Sequence, residues 1–298
     1  MDPAIELCDV TRTFGPIVAV DRLTLAVDPG EVVGFIGPNG AGKTTTIRMI
    51  LDYVRPTSGT IRVLGLDARE QAVEVHRRLG HLPGELTVPG PMTAGRLIRW
   101  FAELRDIDPS RGFELAERLS LDTGRPMRDL SAGNRQKAGL VQAFMHAPDV
   151  LLLDEPTKGL DPVMQREFRG MVDEARSRGA TIFVSSHVLH EIDAICDRVA
   201  MIVEGRLTDN VASGTVARRR MVVVTIAGAP DLEAARAIPG VIALDAAPTD
   251  DGVRVELTVE DDMDAVVKWA ASHTVVDLST DGAGLDRVFL GRLSEVAA

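Results

Sequence analysis

The run Gly37-Pro38-Asn39-Gly40-Ala41-Gly42-Lys43-Thr44 follows the spacing G-x-x-x-x-G-K-[ST], whose chemistry is phosphate binding. Backbone N–H groups converge on phosphate oxygens only where no Cβ intrudes, which explains the glycines. The N-terminus of a following helix adds about half a positive charge. Gly37, Asn39, Gly40, Ala41 and Gly42 are therefore candidate contacts to a nucleotide, and Lys43 supplies a compact charge for its β and γ phosphates. Only 4 of the 33 Lys and Arg residues are lysines, so a chain that otherwise uses Arg has Lys where a planar guanidinium would not fit the loop. Thr44 is placed to hold Mg²⁺ through its hydroxyl, and Thr45 to bond a phosphate. A second apolar run, Val150-Leu151-Leu152-Leu153, ends in Asp154-Glu155. Mg²⁺ prefers oxygen ligands and keeps several waters, so Asp154 suits the ion. Glu155 is left to face the terminal phosphate and to orient or deprotonate water, a role worth ~10²- to 10⁴-fold in rate.

These groups need elements that bring them together. Residues 31–36 read as a buried strand and 44–51 as the helix after it; 150–154 and 181–185 read as two further strands. Residues 162–178 read as a helix, with Asp161 as N-cap and Pro162 at its first position. Strands alternating with helices predict an α/β fold with a largely parallel sheet. Between residues 92 and 147 the pattern is helical only, predicting a helical insert at about 86–148. In it Thr93 caps a helix whose apolar face carries Leu97, Trp100, Phe101 and Leu104. Past residue 213 the composition shifts. Strands at 222–226, 253–259 and 275–278, helices at 231–237 and 262–271, and a last helix at 285–293 suggest βαββαβ plus a helix. That is a small α+β domain of roughly 80 residues. The expected division is 1–215 and 220–298. Arg218, Arg219 and Arg220 lie at the junction, as a solvated linker or, alternatively, a contact to anionic lipid.

Composition excludes several classes. The 298 residues carry a formal charge of −11, without the broad basic footprint of a nucleic-acid binder. No stretch approaches the ~18 consecutive apolar residues of a membrane span, and the first residues lack the basic and apolar regions of a secretory signal, so a cytoplasmic location is expected. Cys8 and Cys196 are far apart and offer neither a disulfide framework nor a metal site.

Arg128-Asp129-Leu130-Ser131-Ala132-Gly133-Asn134-Arg135-Gln136-Lys137 lies just before the 150–154 strand. Here the chain resembles the nucleotide-binding subunits of ABC transporters, whose signature reads LSGGQ. The resemblance covers residues 5 to about 210 and includes Pro56-Thr57-Ser58-Gly59, Asp154-Glu155-Pro156-Thr157, Gly159-Leu160-Asp161 and Ser185-Ser186-His187. It implies a P-loop NTPase of ABC type with a helical subdomain, followed by a ferredoxin-like α+β domain, binding ATP and Mg²⁺. It also implies a head-to-tail dimer, more simply of two identical chains, in which Ser131 and Gly133 of one subunit close on ATP held by Lys43 of the other. By the same resemblance Phe14 stacks on adenine, Asp161 communicates across the dimer and His187 contacts the γ-phosphate. Core packing for Phe14 and a capping role for Asp161 are the alternatives. The permease would be a separate chain, holding this one on the inner face of the membrane. Asn134-Arg135-Gln136-Lys137, Gly159-Leu160-Asp161-Pro162 and the tail at 285–290 resemble the drug- and antibiotic-efflux branch. The rival readings are an ABC-type ATPase not involved in transport and a binding-only regulatory subunit.

Two departures stand out. The family's strand-end Gln, a ligand near Mg²⁺ and the attacking water, falls near Gly84, where this chain reads Leu82-Pro83-Gly84-Glu85. Glu85 is the candidate to replace it, with a solvated-loop role as the alternative. The signature here reads Ser131-Ala132-Gly133-Asn134.

Overall fold

The computed structural model describes residues 2–88, 91–187, 195–213, 219–260 and 263–282. The expected helix at 285–293, its 285–290 resemblance and Arg218 lie outside the described residues. The chain divides into two compact units, Met1–Asn210 and Val211–Ala298.

In the first unit, strands β1 (Ile5–Phe14), β2 (Ile17–Val27), β4 (Ser58–Val63) and β5 (Leu66–Asp67) form an antiparallel sheet in the order β2-β1-β4-β5. A second sheet has the order β10-β9-β3-β8-β7-β6. Its strands are β3 (Val32–Ile36), β6 (Leu79–Leu82), β7 (Val150–Asp154), β8 (Thr181–Ser186), β9 (Arg198–Val203) and β10 (Arg206–Ala212). The pairings β6/β7, β7/β8, β3/β8 and β3/β9 are parallel. Every residue of β3, β7 and β8 is buried, as expected where both faces of a parallel sheet are covered. The expected parallel sheet is therefore joined by an antiparallel one. The core between them unites Ile5, Leu7, Leu23 and Leu25 with Phe35, Leu152, Phe183 and Ile47 of helix α1 (Lys43–Ile50).

Helix α2 (Ala72–Arg77) precedes β6. Between β6 and β7 lie α3 (Ala94–Arg105), α4 (Ser110–Arg118) and α5 (Ala132–Phe144). Thr93 caps α3, its side chain accepting from the Arg96 amide. The apolar face of α3 is not the one expected. Ala94, Leu97, Ile98 and Ala102 are buried, whereas Trp100 is 49% and Leu104 66% exposed. Ile98 and Ala102 continue an i, i+4 stripe from Ala94, and this stripe, displaced from the bulkier one, meets the core. After β7, α6 (Pro162–Ser177) starts at Asp161.

In the second unit, β11 (Arg219–Ile226), α7 (Leu232–Arg236), β12 (Val241–Thr249), β13 (Gly252–Glu260), α8 (Asp264–Ala271) and β14 (Val275–Gly282) follow in that order. The strands form an antiparallel sheet ordered β12-β13-β11-β14. Val222, Val224, Ile226, Val255, Leu257 and Val259 face Val266 and Trp269 of α8 in its core.

Candidate functional site

Strands β3, β6, β7 and β8 all end at one edge of the parallel sheet, where α/β folds place their ligands. The loop 37–42 connects β3 to α1. Gly42 at the helix N-cap has φ +110°, a conformation that L side chains rarely adopt, and a Cβ there would lie 2.5 Å from the Ala19 carbonyl oxygen. Glycine is thus required both by conformation and by space. Lys43 is buried, its Nζ donating to the carbonyls of Gly37 at 2.5 Å and Pro38 at 3.1 Å. It lies 3.8 Å from Glu155 Oε1. Burial pulls its ammonium below the ordinary lysine value, opposed by Glu155 and Asp154.

Asp154 ends β7 and is 3% exposed. Its Oδ2 accepts from Thr44 Oγ1 at 2.8 Å and its Oδ1 from Ser185 Oγ at 2.5 Å. A hydroxyl and a carboxylate brought together from α1 and β7 form a hard oxygen set, which fits Mg²⁺ beside the phosphate loop. Glu155 follows with φ +51°. Its amide is tied to Ser185, and its Oε2 accepts from His187 Nδ1 at 2.7 Å. Lys43, Thr44, Asp154, Glu155 and His187 thus converge from three segments distant in sequence.

A cavity of about 600 Å³ is lined by Lys43, Thr44, Asp154 and Glu155 of this cluster and not by His187. Asn39, Gly40, Ala41, Gly42 and Thr45 line it, and so does Glu85, whose side chain is exposed. Gly84 abuts the metal-binding candidate: a Cβ there would lie 3.2 Å from Asp154 Oδ2.

The other expected residues stand apart from this cavity. The Phe14 ring is 44% exposed, with the Arg12 guanidinium 4.3 Å from its centroid, and is not among the lining residues. Asp161 Oδ1 accepts from the amides of Val163 and Met164, which hold its carboxyl below the usual range. Ser131 caps α5, its hydroxyl accepting from the Asn134 amide at 3.3 Å. Gly133, one residue into that helix, packs on the 155–159 loop, since a Cβ there would lie 2.5 Å from the Gly159 carbonyl oxygen.

Two residues were missed by sequence reasoning. His81 on β6 lines the cavity, and burial pushes it down to about 4, leaving the ring neutral near pH 7. Gln136 is buried on α5, its Nε2 donating to the carbonyls of Glu155 at 2.9 Å and Pro156 at 3.1 Å. The signal available for Gln136 was its i+3 spacing from Gly133, which puts both on one helix face.

A family described as ABC transporter matches residues 20–158. The chain is 38% identical over 218 residues to the bacitracin transport ATP-binding protein BcrA of Bacillus licheniformis, covering 71% of this chain and 70% of that one. Among solved structures it resembles an ATP-binding subunit of an ABC transporter, with TM-score 0.67, 26% identity and coverage of 72% and 92%. It shares the fold of a dimeric ATP-binding cassette bound to ADP and Pi in a post-hydrolysis state, with TM-score 0.65, 20% identity and coverage of 70% and 98%.

Proposed function

The chain belongs to the ABC transporter family, and we propose that it binds and hydrolyses ATP to power an exporter whose membrane-spanning permease is a separate polypeptide. The observation that carries this reading is the convergence of Lys43, Thr44, Asp154, Glu155 and His187 at one strand edge. Among the described residues, no helix is long and apolar enough to cross a membrane, which fits a subunit held at the inner face through its partner. The similarity to a bacitracin transport subunit supports a drug, antibiotic or lipid as cargo.

ATP lies with its phosphates on the 37–42 loop, where backbone amides and Lys43 take up their charge. Thr44 and Asp154 hold Mg²⁺, which when bound neutralises developing negative charge on the phosphate oxygens. Glu155 orients the attacking water and takes up its proton, while His187, hydrogen-bonded to Glu155, fixes the carboxylate and meets the γ-phosphate. Ser131 and Gly133 sit away from this chain's own cavity, which supports their use on ATP bound by a second copy. Asp161 and Phe14 have the dimer contact and the adenine contact as their roles here. The 220–298 segment, with strand order β12-β13-β11-β14, acts as a ferredoxin-like accessory domain to the 1–215 cassette. Purification from membranes tests the whole reading: a multispanning protein should accompany the chain, and exclusive recovery with ribosomes or DNA would favour the non-transport alternative.

Glu85 is assigned to the Mg²⁺ environment in place of the family's neutral amide. Glu85→Gln should shift the Mg²⁺ dependence of ATP hydrolysis to higher concentration, because a carboxylate holds the ion more tightly than an amide. Superimposable Mg²⁺ titrations of the two proteins would assign Glu85 to solvent.

A further inference from the structure

We propose that Gln136 is a positioning residue that joins the Glu155 loop to helix α5, so that the state of the Ser131 end of the helix sets the aim of the Glu155 carboxylate in the same chain. This rests on the ATPase reading above. Two grips connect helix and loop, one turn apart on the same helix face. Gly133 meets the far end of the loop, where its missing side chain makes room for the Gly159 carbonyl. Gln136 meets the near end, spending both protons of one amide nitrogen on the consecutive carbonyls of Glu155 and Pro156.

The near grip bears on chemistry because Glu155 has φ +51°, a backbone conformation that a bulky residue keeps only when its surroundings impose it. Its amide is fixed by Ser185, and its carbonyl accepts from both Gln136 and the Lys158 amide. Removing Gln136's donors leaves one side of that frame open and takes from the buried Pro156 carbonyl the donor it has in Gln136. The carboxylate then turns away from its 2.7 Å contact with His187. Since α5 is continuous from Ala132 to Phe144, a displacement at Ser131 moves Gln136 with it. Engagement of Ser131 by ATP on a second copy is thereby reported to this chain's own Glu155.

The test is a double-mutant cycle of Gln136→Met, which keeps length and removes both donors, with Ser131→Ala. Gln136→Met should lower kcat ~10-fold with ATP affinity within ~3-fold, and Ser131→Ala should lower kcat much less in that background than in wild type, a coupling of ~10-fold. Without nucleotide, hydrogen exchange of the peptide covering residues 155–160 should quicken in Gln136→Met. Equal effects of Ser131→Ala in both backgrounds, or an unchanged kcat in Gln136→Met, would overturn the proposal even if exchange quickens. Gln136→Asn, too short to reach both carbonyls, should give the same pattern if the Met variant does not fold. A wild-type chain that fails to turn over ATP would instead refute the ATPase reading, which the exchange measurement does not require.

Discussion

Glu155→Gln should lower ATP turnover by at least ~10²-fold while leaving ATP affinity nearly unchanged. The amide keeps the shape of the carboxylate and its hydrogen-bonding reach to His187, 2.7 Å away in the native protein, but it cannot accept the proton of the attacking water. On the proposed assignment Lys43, Thr44 and Asp154 would remain in place to bind phosphate and metal, so binding and chemistry should separate in this variant. If the proposed dimer opens on hydrolysis, its closed form should accumulate in this variant. Steady-state phosphate release and equilibrium titration with a fluorescent ATP analogue measure the two effects separately. Turnover at the wild-type rate would require another base, with Glu85 and His81 the cavity-lining candidates.

Lys43→Ala should act at the opposite step, weakening ATP binding by at least ~30-fold, the range for deleting one partner of a buried, hydrogen-bonded charge pair. The lysine is buried against the carbonyls of Gly37 and Pro38 and lies 3.8 Å from Glu155, so its charge would be poorly screened toward the terminal phosphates of a nucleotide bound on this loop. Lys43→Arg should also bind weakly, because the close loop carbonyls suit a compact ammonium and leave no room for a planar guanidinium. A thermal melt of each variant separates loss of binding from loss of fold. Unchanged ATP affinity in a folded Lys43→Ala protein would place the phosphates elsewhere.

What could be read in the sequence follows from how local each signal is. The fully buried Val150–Asp154 strand and the Asp161-Pro162 helix start appear as contiguous residue types, and the structure places them at those positions. The antiparallel sheet was not legible because β1 pairs with β2 through register shifts between Leu7 and Val10 and again to Thr13, which break the two-residue alternation. The face of α3 was misread because small Ala94 and Ala102 carry the buried stripe while Trp100 and Leu104 point to solvent. Gln136 and His81 escaped notice because a lone Gln or His acquires meaning only from what the fold brings beside it. The same limit applies to Gly84: the sequence marks a missing Gln, and only the structure sets the glycine against Asp154 Oδ2.

In the proposed assembly, ATP held at Lys43 of one chain is covered by Ser131 of another and cleaved through Glu155. Its most direct test is the nucleotide content of the Glu155→Gln protein, isolated by size exclusion after incubation with ATP and Mg²⁺. A dimer carrying two uncleaved ATP molecules should be recovered, and should be lost when Ser131→Ala is added. A nucleotide-loaded monomer, or a dimer filled with ADP, would contradict it.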